Sequence, residues 1–226
     1  MAASAGRAQQ VWDLPTRLNH WLLVLLFAGA WWTAANGAML WHRYIGYAMA
    51  GLLVFRLLWG FFGSTTARFR HFVRGPRGVL AYLREFLQRA QKPAPAGHNP
   101  LGALSILALL SLLLAQVVLG LFAVDVDGIE AGPLSFYLDF DAGRVAAVWH
   151  ERVFDLLLVL VGVHIAAVLF YGLVRKQNLI GRMIHGRGIQ PQDADALQWA
   201  SHWRVIAALS AGCLLAWYLK SLDIPL

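Results

Sequence analysis

The sequence predicts an all-α integral membrane protein, a four-helix transmembrane bundle followed by a fifth transmembrane helix. Three observations carry that class. The chain of 226 residues is 59% hydrophobic, with mean hydropathy +0.56, against the roughly 45–50% of an ordinary soluble domain. Leu18 to His42, Leu101 to Val124 and Leu156 to Val174 carry no formal charge, and each is near the ~20 residues that cross a bilayer core. The runs lack the strict alternation of a barrel strand, which leaves the helix as the way to satisfy the backbone in lipid.

The elements follow in order. Residues 1–17 are polar and lack the short apolar core and cleavage site of a secretory signal, so the first apolar run is expected to stay attached as span 1. Span 2, Tyr44 to Ala67, is interrupted only by Arg56. The runs Leu101 to Val124 and Leu156 to Val174 form spans 3 and 4. Span 5, Val205 to Leu219, is shorter, and Trp203, Trp217 and Tyr218 suit an interfacial belt at its ends. The organisation is an N-terminal segment (1–17), a four-helix core (18–174), a connector (175–202) and a fifth helix (203–226). Cys213, the single cysteine, falls in that fifth helix and is expected to be buried there. No internal disulfide can form.

Charge sets the expected orientation. Between spans 2 and 3 lie Arg68, Arg70, Arg74, Arg77, Arg84, Arg89 and Lys92, opposed by Glu85 alone. Arg175, Lys176, Arg182 and Arg187 follow span 4. The periplasmic-side stretch 125–144 is instead acidic, with Asp125, Asp127, Glu130, Asp139 and Asp141 against Arg144. The positive-inside rule then places residues 1–17 and the 175–202 connector in the cytoplasm and the C-terminus in the periplasm of a bacterial inner membrane. The net charge of +7 is thus a topology signal. No nucleic-acid module accompanies it, so no nucleic-acid partner is expected. Within the basic loop, residues 77–90 place Leu80, Leu83 and Leu87 on one face, which suits a helix on the inner membrane surface or a cap packed on the helix ends. The turn-rich KPAPAGHNP, Lys92 to Pro100, ends that segment.

Eight histidines divide into two groups. His71, His98, His185 and His202 fall in loops or at helix ends. His20, His42, His150 and His164 fall within or at the edges of spans, where polar groups are costly and mark function. Alternating topology puts His20 near the inner surface, and His42 and His150 near the outer one. His164 follows His150 by fourteen residues, about 21 Å deeper and about 40° short of four full turns, hence on the same helix face. His42 can therefore meet His150, and His20 can meet His164. Zinc wants three or four protein ligands, and each level offers two. Haem iron, held equatorially by its porphyrin, takes two axial imidazoles, so the pattern reads as two b-type haems. There is no Cys-x-x-Cys-His for covalent attachment. His150-Glu151 is not a zinc-protease motif, because Phe154 stands where the second histidine belongs. The plainer alternative is that all four imidazoles are hydrogen-bonded packing residues.

Arg56 follows His42 by fourteen residues, on the same helix face and near the depth of the inner pair. A buried arginine needs an anion, and a haem propionate is a natural partner. Arg17, Arg43 and Arg152 sit near the expected haem edges, where interfacial snorkelling explains them equally well. Gly46, Gly120 and Gly162 suit a flat macrocycle or close helix contact.

VWDLPTRLNHW (Val11 to Trp21), WHRYIGYAMAGLLVFRLLWGFFG (Trp41 to Gly63), ARFRHFVRGP (Ala67 to Pro76), GHNPLGA (Gly97 to Ala103) and the His150/His164 helix resemble the bacterial cytochrome b561 family. That family is related to the b-type cytochrome subunits of nickel–iron hydrogenases and formate dehydrogenases. The resemblance runs from about Val11 to Gly188 and leaves the fifth helix unmatched. It implies a four-helix core with two bis-histidine haems, and His20, His42, His150 and His164 match its ligand positions. It also implies electron transfer between the quinone pool and a partner outside the membrane, a periplasmic c-type cytochrome or dehydrogenase subunit. Quinone binds in the formate dehydrogenase relatives beside the loop before span 3. Here that loop makes His98 and Asn99 the candidates, although Asn99 ahead of Pro100 also suits a plain helix cap. Two further classes are a stand-alone membrane enzyme, such as a superoxide:quinone oxidoreductase, and a structural anchor without haem.

Overall fold

The computed structural model describes residues 7–88, 97–190 and 196–223. Strand β1 (Arg7–Gln10) leads into helix α1 (Leu14–Ala35). Asp13 caps α1 by accepting from the Thr16 amide at 2.9 Å, and Pro15 occupies its first turn. A tight turn through Gly37, at φ +68°, starts α2 (Met39–Phe62). The short α3 (Phe69–Phe72) and α4 (Pro76–Leu87) follow. Then α5 (Pro100–Phe122) begins at an Asn99 cap. Helix α6 (Phe140–Leu173), α7 (Leu179–His185), strand β2 (Arg187–Gln190) and α8 (His202–Leu222) complete the chain.

Five of these helices, α1, α2, α5, α6 and α8, are long and apolar enough to cross a membrane. The chain is thus a multi-pass, all-helical membrane bundle. The end at which α1 starts is called the N-side below, and the other the far side. Helix α6, at 34 residues, is about 51 Å long and exceeds a ~30 Å hydrocarbon core. Its first turns occupy residues 140–144, inside the stretch read from sequence as acidic loop. Asp139 fixes the start by accepting from the Ala142 amide at 2.7 Å.

Helix α2 lies at the centre, beside α1, α5 and α8, and α5 pairs with α6. Between the two histidine levels the bundle closes on Met49, Leu53, Leu113 and Leu157. Helix α8 runs against α2 so closely that a Cβ on Gly51 would lie 2.6 Å from the Gly212 carbonyl oxygen, and one on Gly212 2.4 Å from that of Gly51. Small residues allow such backbone contact in membranes. Cys213, expected to be buried, is exposed. The buried face of α8 carries Ala208, Gly212 and Leu219, and Cys213 is one residue, about 100°, round from Gly212.

The basic amphipathic stretch is helical over Pro76–Leu87 and leaves Leu80 and Leu83 exposed. Arg89 and the connector from Lys92 to Ala96 lie outside the described residues. Strand β1 pairs antiparallel with β2, Arg7 opposite Gln190. The Val11 and Trp12 amides both donate to the Gly186 carbonyl, at 2.7 and 3.0 Å. The start of the chain is thereby tied to the connector across the N-side.

Candidate functional site

The span histidines fall on two levels: the rings of His42 and His150 are in contact, and His20 and His164 are within electrostatic reach. At the far level the rings of His42 and His150 stand 6.0 Å apart, nearly perpendicular at 86°. His42 Nδ1 lies 2.9 Å from the Ala30 carbonyl of α1, and His150 Nδ1 lies 2.9 Å from the Gln116 carbonyl of α5. A carbonyl only accepts, so both imidazoles carry their proton on Nδ1 and present a lone pair on Nε2, the state a metal ligand requires. Gln116 also turns its side-chain amide toward the His150 lone pair, Nε2 to Nε2 at 3.1 Å. A metal at that nitrogen would take the amide's place.

Both rings border a partly open cavity of about 290 Å³, walled by Phe27, Trp31 and Phe154. Gly46 also borders it, and a Cβ there would meet only open space. Gly162 likewise has nothing within 4 Å. Gly120 differs: a Cβ there would stand 2.8 Å from His150 Cε1. It lets the imidazole lie against α5.

At the N-side level His20 and His164 lie within electrostatic reach of each other. His98, just before α5, reaches both of them and Arg56. Its ring is held between Trp12, at 4.5 Å, and Phe72, at 4.7 Å. Burial first, and then Arg56, His164 and His20, push His98 down to about 3, so it is neutral at physiological pH. Several polar atoms here are buried without a hydrogen-bond partner: Asn19 Oδ1, His20 Nδ1 and His98 Nδ1. Asn99 is engaged at both ends. Its Oδ1 accepts from the Gly102 amide at 2.7 Å, and its Nδ2 donates to the Tyr171 hydroxyl at 2.9 Å. That hydroxyl lies 3.1 Å from Tyr82 on α4. Burial and this hydrogen bond raise the Tyr82 phenol.

The arginines separate. Arg56 is buried, 7% exposed. It gives a long 3.5 Å contact to the Ala67 carbonyl and stands 5.1 Å over the Phe69 ring. Arg43 holds Glu130 and, at 3.2 Å, Asp223. Among the described residues no carboxylate lies within ion-pair distance of Arg56, although Asp13 is within electrostatic reach. Arg17 donates to the Ile184 carbonyl, and Arg152 is exposed.

Among the described residues no three His, Cys, Asp or Glu side chains cluster to hold a bare metal ion. At the far level two imidazoles with their Nδ1 protons on carbonyls, beside an apolar cleft, fit a metal that brings further ligands of its own. The family model described as prokaryotic cytochrome b561 matches residues 11–186. The chain belongs to the prokaryotic cytochrome b561 family. It is a membrane b-type cytochrome of electron transfer, and membership implies haem b. The matched stretch takes in all four span histidines of the cytochrome, His98, Asn99 and Arg56, and stops before α8. No curated protein and no solved structure matches the chain.

Sequence reasoning missed Gln116 in this cytochrome. It is buried, contacts His150 through both backbone and side chain, and leaves its Oε1 without a partner. The signal was available: it is the single amide side chain in an otherwise apolar span. Trp12 and Phe72 around His98, and Tyr171 on Asn99, join parts of the chain far apart in sequence and left no local signal.

Proposed function

We propose that the cytochrome binds two haems b, one between His42 and His150 and one between His20 and His164, with the N-side in the cytoplasm of a bacterial inner membrane. The observation that carries this is the far-level geometry: two imidazoles in edge-to-face contact, each with its Nδ1 proton on a backbone carbonyl, beside a partly open cleft. Haem, when bound, supplies reversible one-electron oxidation and reduction of its iron.

The protein's own residues do the rest. The Nε2 atoms of the four histidines would hold the two haem irons, two to each. Arg56, buried without an ion-pair partner among the described residues, would pair with a propionate of the N-side haem, and guanidinium–carboxylate pairs of this kind are strong. Arg17, Arg43 and Arg152 lie nearer the haem edges as flanking positive charge, with Arg43 also neutralised by Glu130 and Asp223. The unpartnered Nδ1 of His98 makes the contact to a quinone carbonyl, and Asn99 holds the start of α5 and Tyr171 beside it. On the far side, Asp127, Asp139 and Asp141 are exposed and face a basic periplasmic partner, a c-type cytochrome or dehydrogenase subunit. Electrons cross between that partner and the quinone pool through two levels about 21 Å apart along α6.

The test separates the two half-reactions in membranes. His42→Ala should leave quinol-driven reduction at the N-side level intact and abolish exchange with the periplasmic partner. His164→Ala should do the reverse. If His42→Ala blocks quinol and spares the partner, the orientation or the placement of the quinone site is wrong.

A further inference from the structure

On the N-side, the end of α2, the turn at Thr65–Ala67 and the start of α8 form one hydrogen-bonded corner, whose Ala67 carbonyl also receives the long Arg56 contact. The Thr65 amide donates to the Gln198 carbonyl at 3.0 Å, and the Gln198 amide returns to Thr65 Oγ1 at 2.9 Å. The Ala200 amide donates to Ser64 Oγ at 3.1 Å. On this corner stand Arg68, Arg70 and Arg204. Arg68 uses Nη2 on Thr65 Oγ1 at 3.2 Å, and its Nε is buried without a partner. Arg204 donates to the Phe62 carbonyl at 3.3 Å and lies 5.5 Å over the Trp203 ring. None of the three has a carboxylate partner among the described residues. Beside them Phe61, Phe62 and Trp203 are exposed by 64%, 61% and 65%.

We propose that Arg68, Arg70 and Arg204 form a binding site for the phosphate of an anionic phospholipid, whose acyl chains lie along Phe61, Phe62 and Trp203. Like charges held together on a stiff scaffold need an anion to offset their repulsion. The charges act on one another: Arg68 is pushed down by burial and then by Arg70 and Arg204, and His71 by burial and then by Arg68 and Arg70. Guanidinium forks suit phosphate oxygens bidentately. The aromatic rings beside them sit at the ends of membrane-crossing helices, where an acyl chain is at hand and a soluble anion has no use for them. The basic ends of membrane helices recruit anionic lipid by the same forces. This site does not depend on the haem or quinone assignments.

The experiment uses the intact purified protein in nanodiscs of phosphatidylcholine and phosphatidylglycerol in equal parts, with the lipid retained after detergent extraction counted by native mass spectrometry. The wild type should retain phosphatidylglycerol in preference to phosphatidylcholine. Each arginine removed should weaken that retention about fivefold. Arg68→Gln with Arg204→Gln should therefore abolish the preference, with the visible spectrum unchanged as a check on folding. The exposed Arg70→Gln covers the case in which the double variant does not fold. Arg84→Gln, on α4, should retain the lipid normally. Equal loss with Arg84→Gln would reduce the effect to net charge and overturn the proposal. So would absence of a preference in the wild type, or full displacement of the lipid by inorganic phosphate alone.

Discussion

At the far level both imidazoles rest on main-chain carbonyls, Ala30 for His42 and Gln116 for His150. At the N-side level His20 leaves its Nδ1 without a partner, and the surroundings come from loops: Trp12 before α1, Phe72 in α3 and His98 before α5. The far pair is therefore oriented by main-chain groups of regular helices. The N-side pair sits among buried polar atoms and the buried Arg56. Backbone support fixes ligand geometry, and a side-chain-rich pocket adjusts charge and admits a second molecule. That division is what the proposed function asks for, a relay at the far level and a quinone contact on the N-side.

The comparison breaks most directly at Gly120. A Cβ there already stands 2.8 Å from the His150 ring, and Gly120→Val adds two methyl groups to that contact. The far-level imidazole must leave its carbonyl, so the far haem should be lost or turn high-spin while the N-side haem keeps its low-spin spectrum. Electron paramagnetic resonance of the oxidised protein reads both. Equal damage at both levels would mean that they are not independently built.

A smaller effect is expected at Arg56. Arg56→Leu removes the positive charge beside the N-side haem, which favours the oxidised, more positive iron. The N-side potential should fall by the equivalent of about 1.5–3 kcal/mol, the worth of a hydrogen bond to a charged group. The far potential should stay put. A redox titration that moved the far potential alone would reverse the depth assignment.

Much of this was legible in the sequence. Charge-free runs and fourteen-residue spacing are periodic signals within single helices, and they located the five spans, the contact of His42 with His150 and the buried position of Arg56. The contacts that finish each site arise between distant segments. Pairing of β1 with β2 ties residue 7 to residue 190, and Trp12 meets His98 only because that pairing folds the start of the chain over the N-side. Arg43 looked like any interfacial arginine until α8 brought Asp223 to it. Helix α8 showed span-like composition but no sign of its partner, because the Gly51–Gly212 contact is made by residues without side chains.

The account stands on two bis-histidine haems per chain. The most direct measurement is the haem b content of the purified protein by pyridine haemochrome, set against quantitative amino-acid analysis of the same sample. The account predicts two haems b per chain, both low-spin and both removed by acid–acetone. One haem per chain, or a haem left on the protein after extraction, would contradict it.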